Sequence, residues 1–162
     1  MITKENLKDL LQILGFKPAS QSQPHILVKN FKNTSTQQET SLKVDFKNEK
    51  IDYFPLDENF KEGEYPSKEK PSTGFIIHHK RTCNFSDNEN FVCLLCVDAL
   101  LSKGYESRHI IIEPAMKVGH GDTKYGDILV LNKGFENLIL IENKTYGNEF
   151  DKEWSKTEAL TA

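Results

Sequence analysis

Hydrophobic residues near the start of the chain recur at the spacing of one helix face. Leucines with this spacing fall within residues 5–14, which predicts a short amphipathic helix. Thr3 is a residue type that caps helix starts, and Gly15 is a type that follows helix ends. The predicted helix therefore has one apolar face to bury.

Apolar and polar residues alternate further along the chain, as they do in half-buried strands. This pattern predicts strands at residues 26–28, 41–46 and 50–54, and residues 48–49 favour a hairpin turn between the last two. We therefore predict a small N-terminal helix and β-hairpin unit over residues 1–55.

The segment 56–83 breaks these patterns. Most of it is rich in Lys, Glu, Pro and Gly and poor in aliphatic residues. This composition is typical of a linker or a surface loop. Regular patterns resume after it, so we place a second unit, the core domain, over residues 84–162.

The core domain contains the most regular apolar patterns of the chain. A capping box at residues 86–89, followed by helically spaced apolar residues, predicts a helix that ends near Lys103 and Gly104. Three strands and a final helix are predicted after it, at residues 110–113, 126–131, 138–142 and 150–160. The order α-β-β-β-α indicates a domain of the α/β or α+β class.

Composition restricts the functions that fit this chain. Its 162 residues, 37% hydrophobic and 28% charged, are typical of a globular protein with one core domain and a small accessory unit. The net charge of −3 gives no global basic signature, so any contact with DNA must be local. No signal-like or membrane-spanning stretch is visible and the cysteines number three, which predicts a cytoplasmic location.

Charged residues stand at the ends of two predicted apolar strands. Asp127 opens one strand and Glu142 closes the next, and Lys144 projects to the same side as Glu142 because side chains alternate. These three side chains converge if the strands pair as neighbours through a turn at residues 132–137. Metal-dependent hydrolysis of a phosphodiester requires carboxylates that hold a divalent cation, with a positively charged group such as an ammonium beside them.

This arrangement resembles the motif of the PD-(D/E)xK nuclease superfamily, in which an acid on one strand precedes acid-x-Lys on the next. The matching segments are residues 125–131 and 138–145, and the resemblance extends over residues 84–154 with the helix 90–103. More narrowly, the chain is similar to the N-terminal endonuclease region of type I and related restriction-modification proteins at residues 90–92, 104–105 and 126–130.

The resemblance implies a restriction-endonuclease-like core and an endonuclease that depends on Mg²⁺, with Mn²⁺ as a substitute. It implies that Asp127, Glu142 and the backbone carbonyl of Asn143 are metal ligands. Lys144 would orient the attacking water and stabilise the developing charge. Superfamily members often add a glutamate from the preceding helix, which here falls on Glu89, although a capping box also gives Glu89 a structural role.

The resemblance further implies that DNA is the substrate and that the biological setting is the restriction of foreign DNA. Other domains or subunits of a restriction-modification complex would then supply site recognition. The superfamily core usually continues into another strand and commonly carries a Gln-x-x-x-Tyr motif. We therefore expect the domain to extend beyond residue 162.

Four basic residues are candidates for contacts with DNA phosphates. Lys80 and Arg81 belong to a local basic cluster at residues 78–81, and Lys117 and Lys124 lie in loops around the predicted site. A solvated surface is an equally good interpretation of the cluster. The sequence His-Gly-Asp at residues 120–122 is most simply a polar turn.

A zinc site is one alternative. Cys93 and Cys96 have the C-x-x-C spacing and would complete four ligands with Cys83 and either His78 or His79. Both residues of the C-x-x-C pair lie in the apolar part of a predicted helix, however, where cysteines act as small core residues. The simpler interpretation is structural.

Two further alternatives concern function. The core domain could be a non-catalytic DNA-binding or assembly domain that retains the nuclease fold, and metal dependence would separate this case from an enzyme. Alternatively, the N-terminal unit could be the functional part and dock a partner protein through its hairpin.

Overall fold

The computed structural model describes residues 2–118, 122–145 and 151, and it shows a mixed α+β protein. Within these ranges the α-helices are α1 (Lys4–Ile13) and α2 (Asn88–Ser102), and neither is long and apolar enough to cross a membrane. Two 3₁₀ helices span Arg81–Cys83 and Ser107–His109. The strands are β1 (Lys17–Pro18), β2 (Ile26–Lys32), β3 (Glu39–Asp45), β4 (Lys50–Phe54), β5 (Ile76–Ile77), β6 (Ile110–Ile112), β7 (Ala115–Val118), β8 (Asp122–Tyr125), β9 (Ile128–Leu131) and β10 (Asn137–Ile141).

Helix α1 confirms the first prediction. Thr3 precedes it, and the Thr3 backbone N–H donates to Asn6 Oδ1 at 2.9 Å. Gly15 follows the helix with a φ of 92°, in the left-handed region that favours glycine. Leu7 and Leu11 are fully buried and form the predicted apolar face.

Strands β1 to β4 form an antiparallel sheet in chain order. The hairpin of β3 and β4 is confirmed, and its turn is fixed by the carboxylate of Asp45, which accepts hydrogen bonds from the backbone N–H groups of Lys47 and Asn48 at 3.0 Å each. Strand β2 confirms the strand predicted at residues 26–28, although it extends to Lys32. Strand β1 was not predicted, and with it this region forms a four-stranded sheet. The two-residue strand β1 is too short to give a periodic signal.

The second sheet has the order β10-β9-β6-β5, with β5 parallel to β6 and the other neighbours antiparallel. The predicted pairing of the last two strands is confirmed, with Ile141 opposite Ile128. Strands β7 and β8 form a separate antiparallel ribbon where only a loop was expected. Strand β10 lies at the edge of the sheet, and its Leu138 and Leu140 are each 53% exposed.

The segment 56–83 contributes to the fold. Phe60, Phe75 and Ile76 are buried, and β5 extends the second sheet. The prediction of a linker or surface loop missed these features because isolated aromatic residues and a two-residue strand give no periodic pattern. The predicted final helix at residues 150–160 lies outside the described residues except for residue 151.

The start of α2 differs from the sequence prediction. Asp87 is the N-cap, and its carboxylate accepts a hydrogen bond from the backbone N–H of Glu89 at 3.0 Å. The predicted capping box at residues 86–89 is therefore wrong. Ser86 and Asp87 are both cap-forming types, and a charged carboxylate at this position also gains from the positive end of the helix dipole. The side chain of Glu89 has no capping role and is available for other contacts.

One buried apolar cluster joins the two sheets. It includes Leu7 of α1, Leu42 of the first sheet, Phe91 of α2 and Val130 of the second sheet. A second, smaller cluster around Phe60 covers the other face of the second sheet. Helix α2, which carries one edge of the candidate site described below, is therefore held by apolar contacts from both sheets.

A buried ion pair also links the first sheet to α2. Lys29 Nζ lies 2.7 Å from Asp98 Oδ1, and the two side chains are only 19% and 6% exposed. The same ammonium group lies 5.7 Å and 5.0 Å from the ring centroids of Phe16 and Phe31. Because each of these charges would be costly to bury alone, the pair holds the first sheet against the helix.

His78 is a buried histidine in the neutral form. Its Nδ1 accepts a hydrogen bond from the Ala115 backbone N–H at 2.9 Å, and its Nε2 is 2.9 Å from the Glu64 carbonyl, to which it donates. Burial lowers the pKa of His78, and the Glu64 carbonyl together with the charges of Glu62 and Glu64 opposes this only in part. A proton on Nδ1 would remove the hydrogen bond from Ala115.

We therefore expect the protein to lose stability as the pH falls below about 6.5, the ordinary histidine pKa. The unfolded chain takes up a proton there more readily than the folded chain, so the stabilisation is complete above this pH and declines as the pH falls toward the lowered pKa of folded His78. Urea denaturation over this pH range measures the change. His78→Asn should flatten the profile, and an unchanged profile in that variant would contradict the assignment.

Candidate active site

A cleft of about 340 Å³ opens where the start of α2 approaches the entry of β9 and the end of β10. Five of its lining residues are acidic and one is an arginine. These charged residues are Arg81, Asp87, Glu89, Glu113, Asp127 and Glu142. The sequence-predicted Asp127, Glu142 and Glu89 therefore share one cleft, as a site that binds a cation would require.

Asp127 stands one residue before β9 and is half-buried. The backbone N–H of Asn143 donates a hydrogen bond to Asp127 Oδ2, which ties the start of β9 to the chain that follows β10. Burial raises the pKa of Asp127, and the neighbouring Glu142 carboxylate raises it further. The hydrogen bond from Asn143 and the Lys144 ammonium act in the opposite direction but do not cancel the increase. A bound cation would favour the charged form that burial disfavours.

Lys144 connects two of the acids. Its Nζ is 3.1 Å from Glu142 Oε1 and 3.7 Å from Glu89 Oε1. Partial burial opposes the charge of Lys144, but the hydrogen bond to Glu142 and the charges of Glu89, Glu142 and Asp127 outweigh it and raise the pKa of the ammonium group. Lys144 is therefore a fixed positive charge at neutral pH.

Glu89 faces the site from the first turn of α2, with its side chain 30% exposed. Partial burial raises the pKa of Glu89, the Lys144 ammonium opposes the shift, and the carboxylates of Asp127, Asp87 and Glu142 add to it. The structural explanation for Glu89 in the sequence, a capping box, does not hold, because Asp87 caps the helix. Its side chain instead contacts the Lys144 ammonium, at 3.7 Å.

Asn143 lies between the two strand ends and is 4% exposed. Its backbone N–H reaches Asp127, and its side-chain Oδ1 accepts a hydrogen bond from Cys96 Sγ at 3.2 Å. Through these contacts Asn143 holds the segment that carries Glu142 and Lys144 against both α2 and β9.

The cleft offers few carboxylates as ligands for a metal ion. Among the described residues, no group of three or more His, Cys, Asp or Glu side chains is arranged to hold a metal ion. Mg²⁺ is commonly bound through one or two carboxylates and completes its coordination with water and phosphate oxygens. Asp127 and Glu142 line the same cleft and match that number of carboxylates, whereas Asn143 is not among the residues that line it.

The cysteines have structural surroundings. Cys93 is fully buried in α2, and burial raises the pKa of its thiol. Burial also raises the pKa of Cys83, to about 11. Zinc binds the thiolate form, which these environments disfavour, and Cys96 already contacts Asn143.

Of the basic residues predicted to contact DNA, Arg81 lines the cleft. Lys80, Lys117 and Lys124 are exposed and are not among the residues that line it. The register of the β7–β8 ribbon pairs Lys117 with Thr123 and Lys124 with Met116, so the two lysines project to opposite faces. In the His-Gly-Asp sequence, residues 120 and 121 lie outside the described residues.

Sequence analysis missed Glu113 as a member of the site. It follows the three isoleucines of β6, and its side chain is 5% exposed. A carboxylate at the end of so apolar a strand must find buried hydrogen-bond donors, and this requirement was the available signal. Its donors come from a segment about 30 residues away in sequence, which no local pattern predicts.

Comparisons with protein-family models, with curated proteins and with solved structures found no match.

Proposed function

We propose that this chain carries a Mg²⁺-dependent endonuclease site that hydrolyses DNA phosphodiester bonds. The observation that supports the proposal most strongly is the position of Lys144, whose ammonium group contacts Glu142 and Glu89. These two acids line the same cleft as Asp127. The order of elements also supports a restriction-endonuclease-like core. Helix α2 precedes the antiparallel neighbours β9 and β10, and these strands bring the acid and the acid-x-Lys sequence together.

Each residue would have a separate task. Asp127 and Glu142, with the Asn143 carbonyl, would hold the metal. When bound, Mg²⁺ supplies positive charge that attracts the DNA phosphate and polarises its oxygen atoms. Lys144 remains protonated, so it would orient the attacking water by donating a hydrogen bond and would stabilise the negative charge that develops on the phosphate. Glu89 would hold Lys144 in place.

Titration calorimetry with Mn²⁺ tests the metal site without requiring turnover. We expect the wild-type chain to bind Mn²⁺ and the Glu142→Ala variant to lose binding, because one of two carboxylate ligands is removed. Asp127→Asn should also weaken binding, since it removes the charge while it preserves the shape. Glu58→Ala, at an exposed position outside the cleft, is the matched control and should bind as the wild type does.

Equal Mn²⁺ affinity in the wild type and in Glu142→Ala would contradict the site. Absence of binding in both, together with DNA affinity that is indifferent to a chelator, would instead favour the alternative of a non-catalytic DNA-binding or assembly domain. The exposed edge strand β10, which could pair with a partner in assembly, is the feature that favours this alternative.

We further propose that the site acts in the restriction of foreign DNA, with other domains or subunits of a restriction-modification complex supplying recognition. The support is the sequence resemblance alone. Host cells that carry the intact gene should restrict unmodified phage DNA, and cells that carry the Lys144→Ala allele should not. Equal restriction by both alleles would contradict the proposed role in the restriction of foreign DNA.

A further inference from the structure

Glu113 has an unusual backbone and an unusual environment. Its φ of 50° lies in the left-handed region that residues other than glycine seldom adopt. Its side chain is 5% exposed, although the residue borders the acidic cleft. A conformation of this kind persists only where the surrounding contacts fix it.

Those contacts connect two parts of the site. The Glu113 carboxylate accepts hydrogen bonds from the backbone N–H of Arg81 at 3.2 Å and of Thr82 at 2.8 Å, and Glu113 Oε2 lies 3.3 Å from His79 Nδ1. The Glu113 backbone N–H donates to the carbonyl of Asp127 at 2.8 Å. One buried residue therefore holds both the start of the 3₁₀ helix Arg81–Cys83 and the entry of β9.

Arg81 belongs to the held segment and lines the acidic cleft. It is exposed, and it is the one basic residue among those that line the cleft in the described part of the chain. A DNA strand that approaches five acidic side chains needs a positive contact in addition to a metal ion. A guanidinium group suits this need because it can donate two hydrogen bonds to one phosphate.

We propose that Glu113 is a positioning residue that fixes the segment 79–82 so that Arg81 binds a DNA phosphate beside Asp127. This inference rests on the proposed nuclease function and adds a phosphate contact to it. Hydrogen bonds from backbone N–H groups to a buried carboxylate are stronger than neutral ones, so they can determine where the segment lies. Arg81 and Asp127 line the same cleft, so the bound phosphate would lie at the cleft that contains the proposed metal site.

The test is a double-mutant cycle on DNA affinity, measured by fluorescence anisotropy of a labelled duplex at a series of salt concentrations. Arg81→Ala should weaken DNA binding about tenfold. It should also reduce the slope of log affinity against log salt concentration by about one, the value of one phosphate contact. Glu113→Gln should produce the same two changes. It should add little in the Arg81→Ala background, because both variants remove the same contact.

Arg108→Ala is the matched control, since Arg108 is paired with Glu106 and does not line the cleft. Its DNA affinity and salt slope should equal those of the wild type. Mn²⁺ affinity should be unchanged in both Arg81→Ala and Glu113→Gln. A loss of stability alone could lower the affinity of Glu113→Gln, but it would not remove one phosphate contact selectively or disappear in the Arg81→Ala background.

The outcomes separate the inference from the proposed function. Wild-type affinity and slope in Arg81→Ala would overturn the inference whether or not Glu113→Gln folds, and additive effects of the two substitutions would overturn the positioning role. Neither result affects the proposed function if Mn²⁺ binding depends on Glu142. A wild-type chain that binds Mn²⁺ but not DNA would also overturn the inference.

Discussion

A Lys144→Ala chain is expected to retain Mn²⁺ binding and to cleave DNA at least about a hundredfold more slowly than the wild type. The Lys144 ammonium lies 3.1 Å from Glu142 and 3.7 Å from Glu89, two acids that line the cleft, and both favour its protonated form. Its loss removes the group that would orient water and stabilise charge in the transition state. The proposed metal ligands stay in place.

The same substitution has a second expected effect, which separates catalysis from folding. The Lys144 ammonium would compete with a bound metal ion for the Glu142 carboxylate, since Nζ lies 3.1 Å from Oε1. Mn²⁺ affinity should therefore stay equal or rise in Lys144→Ala. Calorimetry and a plasmid-nicking assay on the same preparation measure both effects.

Lys133→Ala is the control for this prediction, because Lys133 is an exposed lysine outside the cleft. It should cleave at the wild-type rate. Cleavage by Lys144→Ala at the rate of this control would remove Lys144 from the mechanism. A simultaneous loss of Mn²⁺ binding would instead indicate that the lysine mainly holds Glu142 in position.

Lys29→Ala is expected to lower the free energy of unfolding by about 3–5 kcal/mol, the largest stability effect that we predict. The substitution leaves the Asp98 carboxylate, 6% exposed, without its partner at 2.7 Å. It also removes the ammonium group beside the rings of Phe16 and Phe31. Urea denaturation followed by circular dichroism gives the value.

The double variant Lys29→Met with Asp98→Leu should recover much of this loss, since two apolar side chains of similar size leave no charge buried. Lys43→Ala is the surface control. The Lys43–Asp52 pair is 44% and 26% exposed, so its loss should change stability by about 1 kcal/mol or less. A Lys29→Ala chain as stable as this control would show that the link between the first sheet and α2 contributes little.

The elements with long periodic patterns could be predicted from the sequence. Helix α2 and the pairing of β9 with β10 followed from apolar spacing, and this pairing brings the acid and the acid-x-Lys sequence to one edge. The short strands β5, β7 and β8 gave no such signal. They depend on tertiary pairing, as Ile76 does when it lies opposite Ile111.

The candidate site also contains residues that the sequence predicts and residues that only the folded structure reveals. Asp127, Glu142 and Lys144 lie within 18 residues of sequence, and strand alternation is enough to suggest that they meet. The contact of Glu113 with Arg81 and Thr82 joins segments about 30 residues apart, so only the folded chain reveals it. The role of Glu89 was obscured by local chemistry, because two adjacent residues could each have capped α2.

The apolar cluster shared by both sheets affects how the N-terminal region can be studied. A fragment that starts after residue 55 would lose Leu7 and Leu42 and would expose the side of α2 that they cover. Such a fragment would fail through misfolding before it reported on any task of the missing part. Deletion is therefore the wrong genetic tool for residues 1–55, and substitutions of exposed residues, such as Ile13 at 81% exposure, can separate a surface function from structural support.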